Sequence, residues 1–600
     1  MAKLTLHGLL SGYESTKDGH GQKSFFVRNM SGSLKSSQWL IRSRPERFFK
    51  RLSLIISYTT ARAFGLFLLG FGLLSIILHF VKDYLGVYEE VPLNVLVIGA
   101  VFSILAVPLL AVDKPVAIAS QEYLLADYIV HEFFCIKRMH KDDGMRGVSP
   151  ALMLLFGLLL AVLGAFVPLV YVAGSLMGLL YAYLTFLSPE FSFFSTFLLM
   201  PYISVIDSNK LILCAIVTLN VISFGRKVLH GKRVYAFEQY DLALFVMLLF
   251  ILISGIFVKG IESFESSVVM ILLAMGYFLA GNLLTNRRLV DCAIHAVIIS
   301  SLPVSVIAVV QYVRGAVTSG SIFASGVSAT FADASVLAVF LLVALGFSVY
   351  FAIGSRTAAA RALYFVILSL TLAALFATQQ AWAVVAASFG ALAFPAARQR
   401  RGSGVTLGLL SVSLYALLFL PVGAVSFLGS LWFLKSFDIS GFFDKLGVSF
   451  AMLRDNIFTG IGIGKECFSE EYDKYVPGAY AKNSSSFLLE IGLEAGIFAL
   501  AIFLVIMLIR LVHTGRYRRY IRRSEIKGAS YACSAILVSL TVFGVCNYIW
   551  TDLSMYYIFW CVFGIGSAAL RISKRENDDR VGYFKDGSSV SASSININIR

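Results

Sequence analysis

The chain of 600 residues is too hydrophobic to be a water-soluble protein. Apolar residues make up 58% of it and charged residues only 14%, and many apolar runs are long enough to cross about 30 Å of hydrocarbon. The formal charge of +15 does not indicate a nucleic-acid partner, because the basic residues stand in short loops between apolar runs, as membrane insertion requires. We therefore predict an all-α, polytopic transmembrane bundle in contact with membrane lipids.

From the N-terminus, residues 1–60 are polar and basic and carry no pattern of a cleavable signal peptide. The apolar windows that follow predict about sixteen spans. They fall near 62–81, 93–112, 150–167, 169–187, 191–206, 210–225, 241–258, 265–284, 289–312, 334–353, 360–378, 381–397, 405–427, 486–511, 529–549 and 553–571. Every strongly basic loop then lies on one side, which the positive-inside rule makes cytoplasmic together with both termini.

The loops on the opposite side are short with two exceptions, 313–333 and 428–484. A long loop in a compact membrane protein usually carries function, so we expect polar chemistry on the outer face.

The tail 572–600 is polar and rich in serine, and we expect it to be disordered. Seven cysteines are scattered along the chain and imply neither disulfides nor a metal site, and no cofactor is predicted.

The end of the second loop carries the most informative pattern. "TGIGIG" at 459–464 is followed by "NSSSFLLEIGLEAGI" at 483–497. Glu490 and Glu494 stand at helical spacing in an apolar run, where facing hydrocarbon would be costly. We predict that they line an outward cavity; the alternative is that they only cap a helix near the interface. Gly492 and Gly496 form a G-x-x-x-G pair that would let a neighbouring helix approach closely.

The order of these motifs resembles the signature region of the bacterial O-antigen ligase and polymerase family. There a "P-x-x-G-x-G-x-G-x-F" pattern precedes a loop and "H-N-x-x-L-x-x-x-x-E-x-G-x-x-G". Gly460, Gly462, Asn483 and Glu490 (or Glu494 in its place) match that spacing. Upstream, "QYVRG", "SATFADAS" and "ATQQAWAVVAAS" resemble three further blocks of the family.

The resemblance covers roughly two thirds of the chain and implies a membrane core with its large outer loop before the last three spans. It divides the chain into a basic cytoplasmic segment (1–60), an appended membrane region (61–187), the family-like core (188–571) and the tail (572–600). Members of the family ligate or polymerise glycans carried on undecaprenyl pyrophosphate at the outer face of the bacterial cytoplasmic membrane. The implied partners are a polyprenyl-pyrophosphate-linked glycan and a polysaccharide assembly complex.

Such a transfer needs cations that neutralise a pyrophosphate leaving group. The family uses an arginine in an "S-R-G-A-W" block, an arginine in the long loop and the histidine of "H-N". In this sequence the "S-R" block holds Thr378–Gln380, and the histidine position holds Lys482. The candidate catalytic residues are Lys482, Arg454 and Lys445. The candidate substrate-binding residues are Arg314, Gln379, Gln380, Asn483, Glu490, Gly460 and Gly462.

Two other functions stay open. The missing histidine and arginine favour a family member without catalysis that acts as a scaffold or regulator of polysaccharide assembly. A transporter of a lipid-linked glycan is less favoured, because the sequence has neither an internal duplication of spans nor paired interrupted helices.

Overall fold

The computed structural model of this chain describes residues 44–85, 93–136, 138, 147–206, 209–229, 235–258, 260–319, 326–355, 357–398, 439–478, 480–484, 486–516 and 526–585. Most of them are helical, and the described residues contain no strand, which confirms the all-α class. The predicted span 405–427 lies outside the described ranges.

The chain divides into two compact units. The first comprises the described parts of Met1–Phe194 and Leu219–Val234, and the second those of Ser195–Thr218 and Tyr235–Arg600. The helices of the first unit are α1 (Arg44–Tyr58), α2 (Ala61–Tyr84), α3 (Leu93–Leu110), α4 (Val116–Glu122), α5 (Leu124–Asp127, continued by a π-helical turn at Tyr128–Phe133), α6 (Pro150–Phe166) and α7 (Leu169–Leu187).

Two helices, α8 (Pro189–Ile203) and α9 (Asn209–Leu229), contribute residues to both units. The remaining helices belong to the second unit. They are α10 (Gln239–Phe257), α11 (Gly260–Leu283), α12 (Arg287–Ser319), α13 (Ala334–Gly354), α14 (Ala358–Ala377), α15 (Ala381–Arg398), α16 (Ile439–Asp455), α17 (Lys465–Tyr475), α18 (Phe487–Arg516), α19 (Lys527–Gly544) and α20 (Leu553–Lys585).

Twelve of the described helices are long and apolar enough to cross a membrane: α2, α3, α7, α9 to α14, and α18 to α20. The prediction of a multi-pass membrane protein is supported to that extent. The other predicted spans that fall on described residues coincide with α6, α8 and α15, which are helices but not among the twelve. The number of crossings and their sidedness therefore stay predictions.

Two predicted boundaries were wrong because helices continue past them. Helix α12 reaches Ser319, so Arg314 lies on a helix and not in the predicted loop 313–333; Val313, Ala316 and Val317 continue the apolar pattern there. Helix α20 reaches Lys585, although the tail was expected to be disordered from 572.

Glycines bring the helices of the first unit close together. A Cβ on Gly72 of α2 would lie 2.5 Å from the Ser103 hydroxyl of α3, and a Cβ on Gly157 of α6 would lie 2.3 Å from the Phe67 carbonyl oxygen of α2. Small residues let the backbones of apolar helices approach each other this closely. In a membrane, close packing and not the hydrophobic effect drives helices to associate.

The core of the second unit is built around α13 and α20. Residues 336–344 of α13 are all buried, as expected for a helix that is apolar on every side. Helix α20 packs against α11 so closely that a Cβ on Gly564 would lie 2.5 Å from the Tyr277 carbonyl oxygen. This core provides a fixed frame for α18, which carries the predicted carboxylates.

Candidate functional site

Helix α18 is interrupted at Gly496, whose φ of +82° and ψ of 169° lie outside the helical region. The segment before α17 supplies partners for the backbone groups that the break leaves free. The Ile461 amide donates to the Leu493 carbonyl oxygen (2.7 Å), and the Ile497 amide donates to the Ile457 carbonyl oxygen (2.9 Å). Within a membrane protein such groups must be satisfied internally, so segment 457–461 stabilises the break.

The predicted G-x-x-x-G packing pair was wrong for this reason. Gly496 is in the left-handed region, and a Cβ there would lie 2.4 Å from the Phe458 carbonyl oxygen. Gly492 is helical and would place its Cβ 3.5 Å from the Leu453 side chain. Only Gly496 is required by the backbone, because L side chains rarely adopt that conformation.

The glycine run lies directly against the break. Gly460, Gly462 and Gly464 have φ values of +71°, +94° and +120°. A Cβ on Gly460 would lie 2.5 Å from the Glu494 carbonyl oxygen, so glycine is needed for close approach as well as for conformation. The Ile463 amide donates to the Ser263 hydroxyl of α11 (2.9 Å). The Ile463 amide therefore already has a hydrogen-bond partner within the protein.

Glu490 and Glu494 point into the protein. Their exposed fractions are 1% and 6%. Glu490 accepts a hydrogen bond from the Ser484 amide at 2.7 Å, and Glu494 accepts one from the Gly464 amide at 3.4 Å. Each carboxyl thus ties a preceding loop segment to the first half of α18, and this arrangement explains how the apolar run tolerates them.

Two further residues contact Glu494 and were not predicted. The Tyr548 phenol hydrogen-bonds to its carboxyl, and the Ser254 hydroxyl of α10 donates to its backbone carbonyl oxygen at 2.5 Å. Burial, with the Glu494 carboxyl nearby, raises the pKa of Tyr548 well above its ordinary value. The phenol therefore stays protonated and remains a donor. A serine in an apolar helix and a tyrosine in a short loop give no pattern that identifies them.

We call Gly460, Gly462, Gly464, Glu490, Glu494 and Gly496 the helix-break cluster. An apolar core joins it to the surrounding loop. The buried residues of this core come from α16, the glycine run, α17, the segment before α18 and α18 itself: Met452, Ile461, Phe468, Tyr472, Ala481, Leu489 and Leu493. The described part of the predicted loop 428–484 is therefore a folded body built on the broken helix.

The three candidate catalytic cations lie on segments of this body. Lys482 is exposed, two residues before the Ser484 amide that Glu490 holds. Arg454 lies at the end of α16 with 81% of its side chain exposed, and its Nε is 3.3 Å from Asp455. Lys445 is partly buried on α16, within electrostatic range of Glu490. Asn483 is partly buried between Lys482 and Ser484.

Three blocks that are far apart in sequence meet in a second group, and two of the other predicted residues, Gln379 and Gln380, lie in it. The Ala329 amide donates to the Gln311 side chain at 3.1 Å, and the Gln379 amide group lies 3.5 Å from the Tyr312 hydroxyl. Gln379 has a φ of +53° and Gln380 is partly buried beside it. Arg314 follows on the same helix as Gln311, with its side chain exposed. We call this group the glutamine cluster.

A buried arginine was also missed. Arg510 of α18 is fully buried; its Nη2 donates to the Ser530 hydroxyl of α19 at 3.3 Å, and its guanidinium lies 5.7 Å from the Phe563 ring centre. A charge inside the run "LVIMLIRLVH" was a signal for it, since charges within spans are rare and usually have a role.

Comparison with family models and with curated proteins found no relative of this chain. The resemblance to the O-antigen ligase and polymerase family therefore stays a prediction from the sequence motifs and their order.

Proposed function

We propose that this chain is a membrane protein of bacterial surface-polysaccharide synthesis that transfers glycan from a polyprenyl-pyrophosphate carrier to an acceptor. The observation that supports the proposal best is the helix-break cluster. The two family-like motifs, 459–464 and 483–497, fold onto each other at the interruption of α18. The Ile461 amide donates to the Leu493 carbonyl oxygen and the Gly464 amide to the Glu494 carboxyl. A second support is the glutamine cluster, in which three further family-like blocks meet.

The chemistry of the transfer suits the side chains around the helix-break cluster. A pyrophosphate leaving group gains negative charge as the glycosidic bond breaks, so cations fixed beside it lower the barrier. Arg454 offers a planar fork of donors and Lys482 a compact ammonium group. Because both side chains are exposed, a ligand can reach them without first displacing a protein core.

Glu490 and Glu494 are assigned as positioning residues in this proposal. Glu490 holds the amide of Ser484 and so fixes the segment that carries Lys482 and Asn483. Glu494 holds Gly464 at the start of α17. The glycines at 460 and 462 let the loop lie on the broken helix, so the first half of α18 acts as the platform on which the cations are arranged.

The test compares single variants in cells whose surface polysaccharide synthesis requires this chain. Lys482→Ala and Arg454→Ala should reduce surface polysaccharide, or change its chain length, as strongly as deletion does, at unchanged membrane abundance. Lys474→Ala is the matched control, because Lys474 is exposed in the same loop and pairs with Glu471. It should leave polysaccharide at the wild-type level. A deletion strain with normal polysaccharide would overturn the proposed function.

Two observations favour the scaffold alternative. The positions where the family carries an arginine in its "S-R" block hold Thr378, Gln379 and Gln380, and Arg454 already contacts Asp455. If Lys482→Ala and Arg454→Ala both give wild-type polysaccharide while the deletion is defective, the cations take no part in transfer. The scaffold would then be the better explanation.

A further inference from the structure

Helix α1 in the first unit has an inner face that is fixed to the protein. Glu46 is buried, and its carboxyl lies 3.4 Å from Nη1 of Arg226 on α9. The same guanidinium lies 4.9 Å from the centre of the Phe49 ring, and Ser53 one turn further on is buried as well. These contacts determine which side of α1 faces outward.

Helix α1 lies at the ends of two candidate membrane-spanning helices. Only Thr59 and Thr60 separate it from α2, which is a candidate span. Its Phe49 ring also contacts Tyr183 and Phe186, both at 5.9 Å between ring centres, in the last turn of α7. Because the candidate span α2 begins and the candidate span α7 ends beside it, we place α1 at the level where these two helices would leave the hydrocarbon.

The outward face of α1 is basic and apolar at once. Arg47, Lys50 and Arg51 are exposed, and so are Phe48 (68%) and Ile55 (43%). The helix has no exposed acidic residue, because its one carboxylate is buried on the inner face. Lysine and arginine beside exposed aromatic and aliphatic side chains are typical of helices that lie in a membrane interface.

We infer that this outward face binds anionic phospholipid headgroups, with Arg47, Lys50 and Arg51 against the phosphates and Phe48 and Ile55 at the acyl boundary. Charge complementarity favours this occupant, and the adjacent span brings the face to a lipid surface. A basic side chain near an anionic surface contributes about fivefold to binding at low salt, and the contribution is screened as ionic strength rises. The inference is independent of the proposed glycan transfer.

The test uses the purified full-length protein in detergent with equal amounts of phosphatidylglycerol and phosphatidylcholine, and native mass spectrometry counts the lipids that stay bound. R47Q/R51Q should reduce the ratio of bound phosphatidylglycerol to phosphatidylcholine several-fold. R47K/R51K keeps both charges and should keep the ratio. K465Q/K474Q removes two exposed lysines of the second unit and should change the ratio much less than R47Q/R51Q does.

Three outcomes would overturn the inference. One is a wild-type ratio for R47Q/R51Q at a melting temperature that shows an intact fold. Another is an equal loss in K465Q/K474Q, which would mean that any exposed cation recruits the lipid. The third is a preference that 0.5 M salt does not weaken. A loss of both lipids in Phe48→Ser, with the ratio unchanged, would support the assigned apolar contact.

Discussion

The carboxyl of Glu490 and the backbone amide of Ser484 are joined across 2.7 Å, with both residues buried. This bond links the first turn of α18 to the segment that carries Lys482. Glu490→Ala removes the acceptor and leaves a buried amide without its partner, which costs about 1–3 kcal/mol. Glu490→Gln keeps an acceptor oxygen at the same place and should cost much less.

Thermal unfolding of the purified protein distinguishes the two variants. We expect the melting temperature to fall clearly in Glu490→Ala and only slightly in Glu490→Gln. In cells, Glu490→Gln should retain polysaccharide synthesis, because its proposed role is to position Ser484 and not to carry charge. Equal loss of synthesis in both variants, at equal abundance, would show that the carboxylate charge itself is needed.

The interruption of α18 makes a second prediction. Gly496→Ala forces an L side chain into the left-handed region and places its Cβ 2.4 Å from the Phe458 carbonyl oxygen. A backbone with φ of +82° and ψ of 169° is essentially restricted to glycine and costs another residue about 1–3 kcal/mol, and the collision with the backbone adds to it. We expect a loss of more than about 2 kcal/mol in the free energy of unfolding.

Gly492→Ala is the matched control for that experiment. Gly492 lies in the helical part of α18, and its Cβ would meet the side-chain ends of Leu500 (3.3 Å) and Leu453 (3.5 Å). The gain in helix propensity, about 0.5–1 kcal/mol, offsets a small displacement of those side chains. If both variants destabilise the protein equally, the break at Gly496 is not the feature that demands glycine.

The sequence predicted those parts of the fold that depend on local pattern. The apolar runs gave the all-α class and the positions of most long apolar helices. The carboxylates at 490 and 494 were expected to line an outward cavity, and the structure buries both of them against protein and pairs them with loop amides. Helix ends were less predictable, since α12 and α20 continue through residues whose polarity suggested a loop or a tail. A helix end is set by small differences in free energy between neighbouring residues.

The parts that the sequence could not predict depend on tertiary contacts. Gly496 was expected to be a helix-packing residue, and it breaks α18 because segment 457–461 supplies the hydrogen bonds that the break needs. Tyr548 becomes a partner of Glu494 only through the fold. Arg510 carried a visible signal, a charge in an apolar run, but its partners come from other helices.

The contact between Tyr475 and Asp455 predicts a pH dependence. The Tyr475 hydroxyl donates to Asp455 at 2.6 Å. This bond, helped by Arg454, lowers the pKa of Asp455, and it raises the pKa of Tyr475 to about 12. The contact therefore adds stability above the ordinary aspartate pKa of about 3.9 and loses it as the pH falls through the lower folded value. On the alkaline side it persists below about pH 10 and is lost towards pH 12.

Tyr475→Phe removes this bond and leaves the ring. The difference in melting temperature between wild type and Tyr475→Phe should be constant from about pH 5 to 9 and should shrink as the pH falls below the ordinary aspartate pKa of about 3.9. We expect the difference to be small, because the Asp455 carboxylate is exposed. A difference that is the same at pH 3 and pH 7 would show that the variant acts through ring packing and not through the hydrogen bond.

Arg510 and Gly566 should be energetically coupled. A Cβ on Gly566 of α20 would lie 2.1 Å from Nη2 of Arg510 and 2.8 Å from the Cβ of Cys533. The guanidinium is fully buried and cannot swing into solvent, so Gly566→Ala should cost about 1–3 kcal/mol by overpacking. In an Arg510→Met background the collision with the guanidinium is absent, and the same substitution should cost less by about 0.5–3 kcal/mol. Melting temperatures of wild type, both single variants and the double variant measure this coupling. If the losses of the two single variants simply add in the double variant, Arg510 is not the residue that excludes a side chain at position 566.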